Sequence, residues 1–278
     1  MKMLITGASS YVGARLYADL NKRFDVEGTY NTNKLFPELA KMDITERISV
    51  DTVIKECRPD VIVHVAANPN ARWCEANPEL AIRLNEYGTQ NIVDANKSGA
   101  KIFYISSVAA VSPTSVYGKT KRASEDIIRS SKNDYIILRP SLIIGYSPNT
   151  SNDRPFNRIL KNIDEKSPAV YDTSWKFQPT WLGHISEIIE ATIEKEIVNE
   201  IIPVTVPELK SRFDVAKDIL AKFDIPVQSV DNHDKTQTVK VGQEKLEELG
   251  LSRYSYWGII DKIVDEINHR ERFNINSS

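Results

Sequence analysis

Lys2-Met3-Leu4-Ile5-Thr6-Gly7-Ala8-Ser9-Ser10-Tyr11-Val12-Gly13 is the stretch from which the architecture is read. Residues 2–6 are a short apolar run with strand character. They break at once into a Gly-containing turn, and 11–23 then carries Val12, Leu16 and Leu20 at helical spacing. A strand, a tight turn and a helix set unpaired N–H groups and the positive end of a helix dipole where a phosphate can sit. Gly7 permits the turn, Gly13 lets helix and strand approach closely, and Ser9 and Ser10 offer hydroxyls to phosphate oxygens. Gly7, Ser9, Ser10, Tyr11, Val12 and Gly13 are therefore the expected phosphate-binding residues of a dinucleotide site.

The alternation continues outward. Strands are expected at 25–30, 60–66, 101–106 and 135–139, and helices at 46–57, 75–98 (with Pro78 in the first turn) and 117–131. Continuous apolar strands alternating with helices predict an α/β, doubly wound parallel sheet of Rossmann type. After Pro140 the pattern is less regular, with a turn-rich piece at 147–155 and helices at 156–165, 184–195, 212–223, 244–249 and 254–270. Residues 1–145 thus read as a dinucleotide-binding domain. Residues 146–278 read as a smaller, partly interleaved substrate-binding lobe on the sheet's C-terminal edge, and 273–278 are expected to fray.

Composition narrows the function classes. The chain of 278 residues has 36 Lys plus Arg against 38 Asp plus Glu, a net charge of −2, which gives no bulk attraction to nucleic acid or anionic membrane. At 41% hydrophobic and 27% charged residues it can bury a sizeable core. Cys57 and Cys74 cannot build a disulfide framework, and His64, His184, His233 and His269 lack ligand spacing, so no metal site is expected. The immediate start of the first strand leaves no room for a secretory leader, and no apolar run nears the ~20 residues of a membrane span. The expected location is the cytoplasm.

Two Tyr-x-x-x-Lys spacings occur, Tyr30/Lys34 and Tyr117/Lys121, and context separates them. Tyr30 ends a strand in an Asn/Thr loop. Tyr117 begins a helix that puts Lys121 one turn along the same face, just after a strand ending in Ser106-Ser107. Both features converge on the crevice edge where such sheets bind ligands. Hydride transfer to a carbonyl develops an alkoxide that needs a proton, and a phenol with a pKa of about 10 suits neutral pH only if a nearby ammonium favours phenolate. Tyr117 is the candidate general acid, Lys121 its tuner, and Ser107 the hydroxyl that polarises the carbonyl oxygen.

Residue by residue, the chain resembles the short-chain dehydrogenase/reductase superfamily. It departs from both common glycine patterns, with Ser10 or Tyr11 where a third glycine would stand. The resemblance implies that Lys121 also contacts a ribose, that Asn85 helps organise the proton relay, that Asp43 and Ile44 edge the adenine, and that Ala66 and Ala67 lie beneath the cofactor. The second strand runs into Asn31-Thr32-Asn33-Lys34 with no acid after Glu27, so Asn31 and Lys34 favour NADP over NAD. The interval between Ser107 and Tyr117 is shorter than the superfamily usually shows.

Several segments resemble the dTDP-4-dehydrorhamnose reductase branch: 60–67 with 74–81, 138–145, Phe177-Gln178-Pro179-Thr180-Trp181, and 245–250. That resemblance implies reduction of a 4-keto nucleotide sugar, with Arg154, Lys176 and Trp181 as candidate substrate contacts, cations for diphosphate and an aromatic for stacking. Two alternatives stay open. One is an NAD-dependent nucleotide-sugar epimerase or dehydratase using the same residues. The other is a non-catalytic, NADP-binding regulatory subunit, like the partner of methionine adenosyltransferase found in this branch. A homodimer is one possible assembly.

Overall fold

The computed structural model describes residues 1–274. The first half runs β1 (Lys2–Thr6), α1 (Tyr11–Leu20), β2 (Asp25–Tyr30), β3 (Ala40–Lys41), α2 (Arg47–Cys57), β4 (Val61–His64), α3 (Ala71–Ala76), α4 (Pro78–Ile82), α5 (Gly88–Ala95), β5 (Lys101–Ile105), α6 (Val116–Ser130) and β6 (Tyr135–Pro140). The second half adds β7 (Ile143–Ile144), α7 (Pro155–Glu165), β8 (Ala169–Asp172), β9 (Lys176–Phe177), β10 (Thr180–Trp181) and α8 (Leu182–Glu194). It continues with β11 (Glu200–Val204), β12 (Lys210–Ser211), α9 (Arg212–Leu220), β13 (Val227–Val230), α10 (Glu244–Glu248) and α11 (Tyr256–Asn268).

Seven strands form one parallel sheet in the order β11-β6-β5-β4-β1-β2-β3. The order reverses beside β1, between β4 and β2, and the crevice above that point is where an open α/β sheet takes its ligand. β1, β4 and β5 are buried along almost their whole length, which is why their sequences read as unbroken apolar runs rather than alternating ones. The outermost strand, β11, comes from residues 200–204, so the second half of the chain closes the sheet edge. Helix starts follow their caps: Ser10, Asn70, Ser115 and Ser255 each accept from a backbone N–H in the first turn. Ser211 forms a full capping box with Asp214.

Two expectations need correction. The single helix read over 75–98 is broken. Asn77, held at φ −138° and ψ 62° ahead of Pro78, ends α3, and a π-helical turn at Arg83–Tyr87 separates α4 from α5. Of the tail expected to fray, Phe273 is instead buried, with the Arg15 guanidinium 4.1 Å from its ring centroid, and 275–278 lie outside the described residues. Among the described residues no helix is long and apolar enough to cross a membrane.

Candidate active site

The turn between β1 and α1 is closed tightly enough to dictate its glycines. Gly7 sits at φ +70° with Ala66 Cα 3.0 Å from where a Cβ would be, and a Cβ on Gly13 would lie 2.2 Å from Gly7 O. Ser10 takes an ordinary extended conformation (φ −75°, ψ 168°), so the backbone needs no glycine there, and its Oγ accepts from Gly13 N at 3.0 Å. The amides of Ser9, Tyr11 and Val12 have no partner among the described residues and stand at the positive end of α1. A turn sealed by two obligatory glycines with free amides at its mouth fits a dinucleotide pyrophosphate. Ser9 Oγ accepts from Leu35 N at 3.3 Å. Tyr11 departs from expectation: its side chain leaves the turn, is buried, and donates from Oη to Gly145 O at 2.5 Å.

At the end of β2, Thr29 Oγ1 accepts from Gly7 N at 3.1 Å. Beyond it Asn31 and Lys34 are exposed. Lys34 Nζ stands 5.6 Å from the Tyr30 ring centroid, with no carboxylate partner among the described residues. Glu27, the nearest acid in the strand, is paired with Lys2. Asp43 is half-buried and accepts from Thr45 N and Oγ1, both at 2.8 Å. Ile44 is a correction. Its side chain is buried in the core, where its Cδ1 and Cγ1 lie where a Cβ on Gly88 would be, so it offers no exposed adenine edge. Ala66 and Ala67 are half-buried, and Ala66 N donates to Thr6 Oγ1.

Across the crevice, Ser107 follows β5 and starts a 3₁₀ turn at Val108–Ala110 by accepting from Ala109 N at 3.2 Å. Gly118 lets α6 press against that turn, since a Cβ there would lie 2.7 Å from Ala109 O. The approach brings Ser107 close enough to Tyr117 for its hydroxyl to act on the phenol. Burial pushes that phenol up to about 12, against the lowering effect of Ser107 and of the Arg154 cation. The phenol is not made acidic as expected: Lys121, the expected tuner, is itself buried, donating to Ile105 O at 2.7 Å and to Tyr104 Oη at 3.1 Å, and the cation that lowers Tyr117 is Arg154. Burial pulls Lys121 down to about 7, although Glu125 on the next turn opposes the shift.

Asn85 lies in the π-helical turn and is buried. Its Oδ1 accepts from Asn68 N at 2.8 Å, and its Nδ2 donates to Thr120 Oγ1 at 3.0 Å, which in turn donates to Tyr117 O at 2.9 Å. Asn85 therefore ties the turn after β4 to the first turn of α6. Its own carbonyl accepts from Thr89 Oγ1 and Ser124 Oγ, bonds that absorb the carbonyl displaced by the π turn.

Two buried polar groups escaped the sequence reading. Thr6 Oγ1 accepts from Val65 N and Ala66 N at 3.1 Å each, which leaves its proton for His64 Nδ1 at 2.8 Å. His64 Nε2–H then donates to Thr89 Oγ1 at 3.1 Å, a tautomer assigned from these partners. Burial pulls His64 down to about 3, so it is a neutral strut between the first turn and α5. Behind Ser107, Glu125 is fully buried, accepting from Ser106 Oγ at 2.5 Å and gripped by Arg139 at 2.9 and 2.5 Å. His64 stood out as the one polar residue of a buried strand; nothing in the sequence marked Glu125.

Of the three candidate substrate contacts, Arg154 is the one whose charge acts on the site. It is half-buried at the start of α7, acts electrostatically on both Tyr117 and Tyr11, and has no carboxylate partner among the described residues, since Asp153 pairs with Arg158. The other two are corrections. Trp181 is buried in the core, its Nε1 donating to Glu266 Oε1 at 2.9 Å, so no face is free to stack. Lys176 Nζ is paired with Asp214 at 2.9 Å on the β9–β12 ribbon.

Comparison with known proteins follows this geometry. The family described as RmlD substrate binding domain matches residues 1–245. A probable polysaccharide biosynthesis protein, EpsC, from Bacillus subtilis (strain 168) is 35% identical over 136 residues, covering 47% of this chain but only 22% of its own length. The dTDP-4-dehydrorhamnose reductase of Aggregatibacter actinomycetemcomitans is 27% identical over 217 residues, 72% of this chain and 69% of that protein. The crystal structure of dTDP-4-dehydrorhamnose reductase from Bacillus anthracis str. Ames in complex with NADP superposes with a TM-score of 0.81. It covers 95% of this chain and 99% of that one at 22% identity, a likeness that establishes the fold.

Proposed function

The chain belongs to the RmlD substrate binding domain family, and from that premise we propose that it is an NADP(H)-dependent reductase of a 4-keto nucleotide sugar. The observation that carries the reading is the close approach of α6 to the turn after β5 at Gly118, which sets Ser107 beside Tyr117, one helical turn from Lys121, on the sheet whose first turn is sealed by Gly7 and Gly13.

A bound dinucleotide would supply the hydride; the remaining chemistry belongs to the chain. The amides of Ser9, Tyr11 and Val12 would bind its pyrophosphate, and Asn31 with Lys34, which has no carboxylate partner among the described residues, would accept a 2′-phosphate where an acid would repel it. Ser107 Oγ donates to the substrate carbonyl oxygen and Tyr117 Oη delivers the proton as charge develops there. A phenol held near 12 stays protonated across neutral pH, so the acid is loaded before each turnover. Arg154 favours the phenolate left behind and would draw a substrate diphosphate. Lys121, held by Ile105 O and Tyr104 Oη, would give its remaining proton to a ribose hydroxyl.

Purified protein with NADPH and a panel of 4-keto-6-deoxy nucleotide sugars should oxidise the cofactor stoichiometrically. Tyr117→Phe should lower kcat by about 10²–10⁴-fold, the usual worth of a positioned acid, while the Kd for NADPH stays within about two-fold. Equal turnover in variant and parent would remove Tyr117 from the mechanism. NAD released from the purified protein on denaturation would favour an epimerase. NADPH binding without turnover on any sugar would favour a regulatory subunit.

A further inference from the structure

Three hydrogen bonds join the dinucleotide turn to a segment more than a hundred residues away. Tyr11 Oη donates to Gly145 O at 2.5 Å, Ser147 Oγ donates to Tyr11 O at 2.6 Å, and Asn149 Nδ2 donates to Ser9 O at 2.6 Å. The far side of this seam is itself fixed. Gly145 takes φ +135°, which only glycine adopts freely, and a Cβ there would lie 3.1–3.3 Å from Leu182, Trp181 and Glu266. Beyond Asn149 the segment is gathered by Asn157 of α7, whose Nδ2 donates to Asn149 O and Asn152 O at 3.0 Å and to Asn152 Oδ1 at 2.9 Å. It ends at Arg154, the half-buried residue that opens α7, whose N donates to Asn152 O at 2.9 Å. One run of ten residues, 145–154, therefore grips the phosphate turn with its first half and ends in the cation that opens α7.

We propose that Tyr11, Ser147 and Asn149 are positioning residues that couple occupancy of the dinucleotide turn to the ordering of the 145–154 arm and so to the placement of the Arg154 guanidinium at the start of α7. The inference rests on the dinucleotide reading above and goes beyond it, because it makes cofactor and substrate binding mutually dependent. The amides that would meet a pyrophosphate, those of Ser9, Tyr11 and Val12, belong to the same short run whose carbonyls, Ser9 O and Tyr11 O, are held by Ser147 and Asn149. Whatever orders those amides also orders the arm. By linkage the effect is reciprocal: an anion that pairs with Arg154, such as the diphosphate of a nucleotide sugar, must tighten dinucleotide binding by the same factor, typically about 5–150-fold where two sites are coupled. The residue standing at the glycine-pattern position thus has a task of its own, a phenol that reaches out of the turn to grip the arm.

The test uses the full chain and needs no knowledge of the sugar. NADPH affinity is measured by its fluorescence for the parent, Tyr11→Phe, Ser147→Ala, Ser147→Thr and Asn149→Ala, with and without dTDP as the diphosphate probe, and hydrogen exchange is followed over 145–154. Expected results are slowed exchange across 145–154 on adding NADPH, and NADPH affinity raised at least about five-fold by saturating dTDP in the parent. Tyr11→Phe and Asn149→Ala should each weaken NADPH binding by about five-fold, the worth of one hydrogen bond, and abolish the dTDP effect. Ser147→Thr should keep the parent values that Ser147→Ala loses. Unchanged exchange in the arm, or an undiminished dTDP effect in the variants, would overturn the coupling while leaving the reductase reading intact. A parent that binds no NADPH would overturn both. If Tyr11→Phe fails to fold, Asn149→Ala and the Ser147 pair decide the matter alone.

Discussion

Lys121 sets packing against charge within one side chain. It is 3% exposed, its ammonium answered by one carbonyl and one phenol hydroxyl, and burial brings it from 10.5 down to about 7. Because the folded value lies below the unfolded one, the unfolded chain holds the extra proton between about 7 and 10.5. Stability therefore rises with pH through that window, and the cost of the buried ammonium is fully present below it. In Lys121→Met that cost is absent at every pH. The difference in Tm between variant and parent should thus drift in the parent's favour by about 3 °C or more from pH 6.5 to 9, measured by scanning calorimetry. A difference that does not move with pH would mean that Lys121 titrates as a free lysine. At this scale the sequence showed which residues carry chemistry but not what each one faces. Lys176 and Trp181 had the right chemistry for a diphosphate and a sugar, yet their partners, Asp214 and Glu266, lie 38 and 85 residues away and no local pattern announces them.

Elements decide whether those side chains meet. The interval from Ser107 to Tyr117 is short, and the structure accommodates it by folding Val108–Ala110 into a 3₁₀ turn and laying α6 directly on it at Gly118. A methyl group at that position would meet a backbone carbonyl at 2.7 Å, a contact only a shift of the helix can relieve. Gly118→Ala should destabilise the fold by about 1–3 kcal/mol through overpacking and, by moving Tyr117 off Ser107, lower kcat at least about ten-fold with little change in NADPH affinity. Parent-like turnover would show that the close approach is not what assembles the pair. The strands β1, β2 and β5 and helices α2, α6 and α7 were legible to within a residue or two, because apolar periodicity and caps act locally. The break inside 75–98 was half legible. Pro78 could be read as a helix start, but the π turn at Arg83–Tyr87 inserts Asn85 toward Asn68 and Thr120, a demand set by neighbours and not by the helix's own sequence.

For the whole molecule, the alternation of strands and helices was enough to give the parallel sheet, whereas the return of residues 200–204 to its outer edge was not, since a five-residue apolar strand carries no address. The two halves are joined by buried polar groups as much as by apolar contact. Arg15 of α1 donates to Glu266 of α11 at 2.5 Å and to Tyr146 O at 2.7 Å, and Ser186 Oγ of α8 donates to Asp19 of α1 at 2.7 Å. Such a molecule should be labile to mild acid for a reason that can be isolated. His64 and His184, both buried, are pulled by burial to about 3 and about 4 from an ordinary 6.5. Depressed values mean that below pH 6.5 the unfolded chain takes protons the folded chain refuses, so stability falls as pH falls. At pH 5 each histidine costs about 2 kcal/mol, about 4 kcal/mol together. At that pH Asp172, held at about 2, is still ionised in either state, while Glu187, raised by burial, works weakly in the opposite sense. Lowering pH from 7.5 to 5 should therefore drop Tm by about 5–10 °C, and His184→Gln should lose roughly half of that drop. His184→Gln keeps a donor for Ser252 O, so an equal drop in variant and parent would assign the acid sensitivity elsewhere.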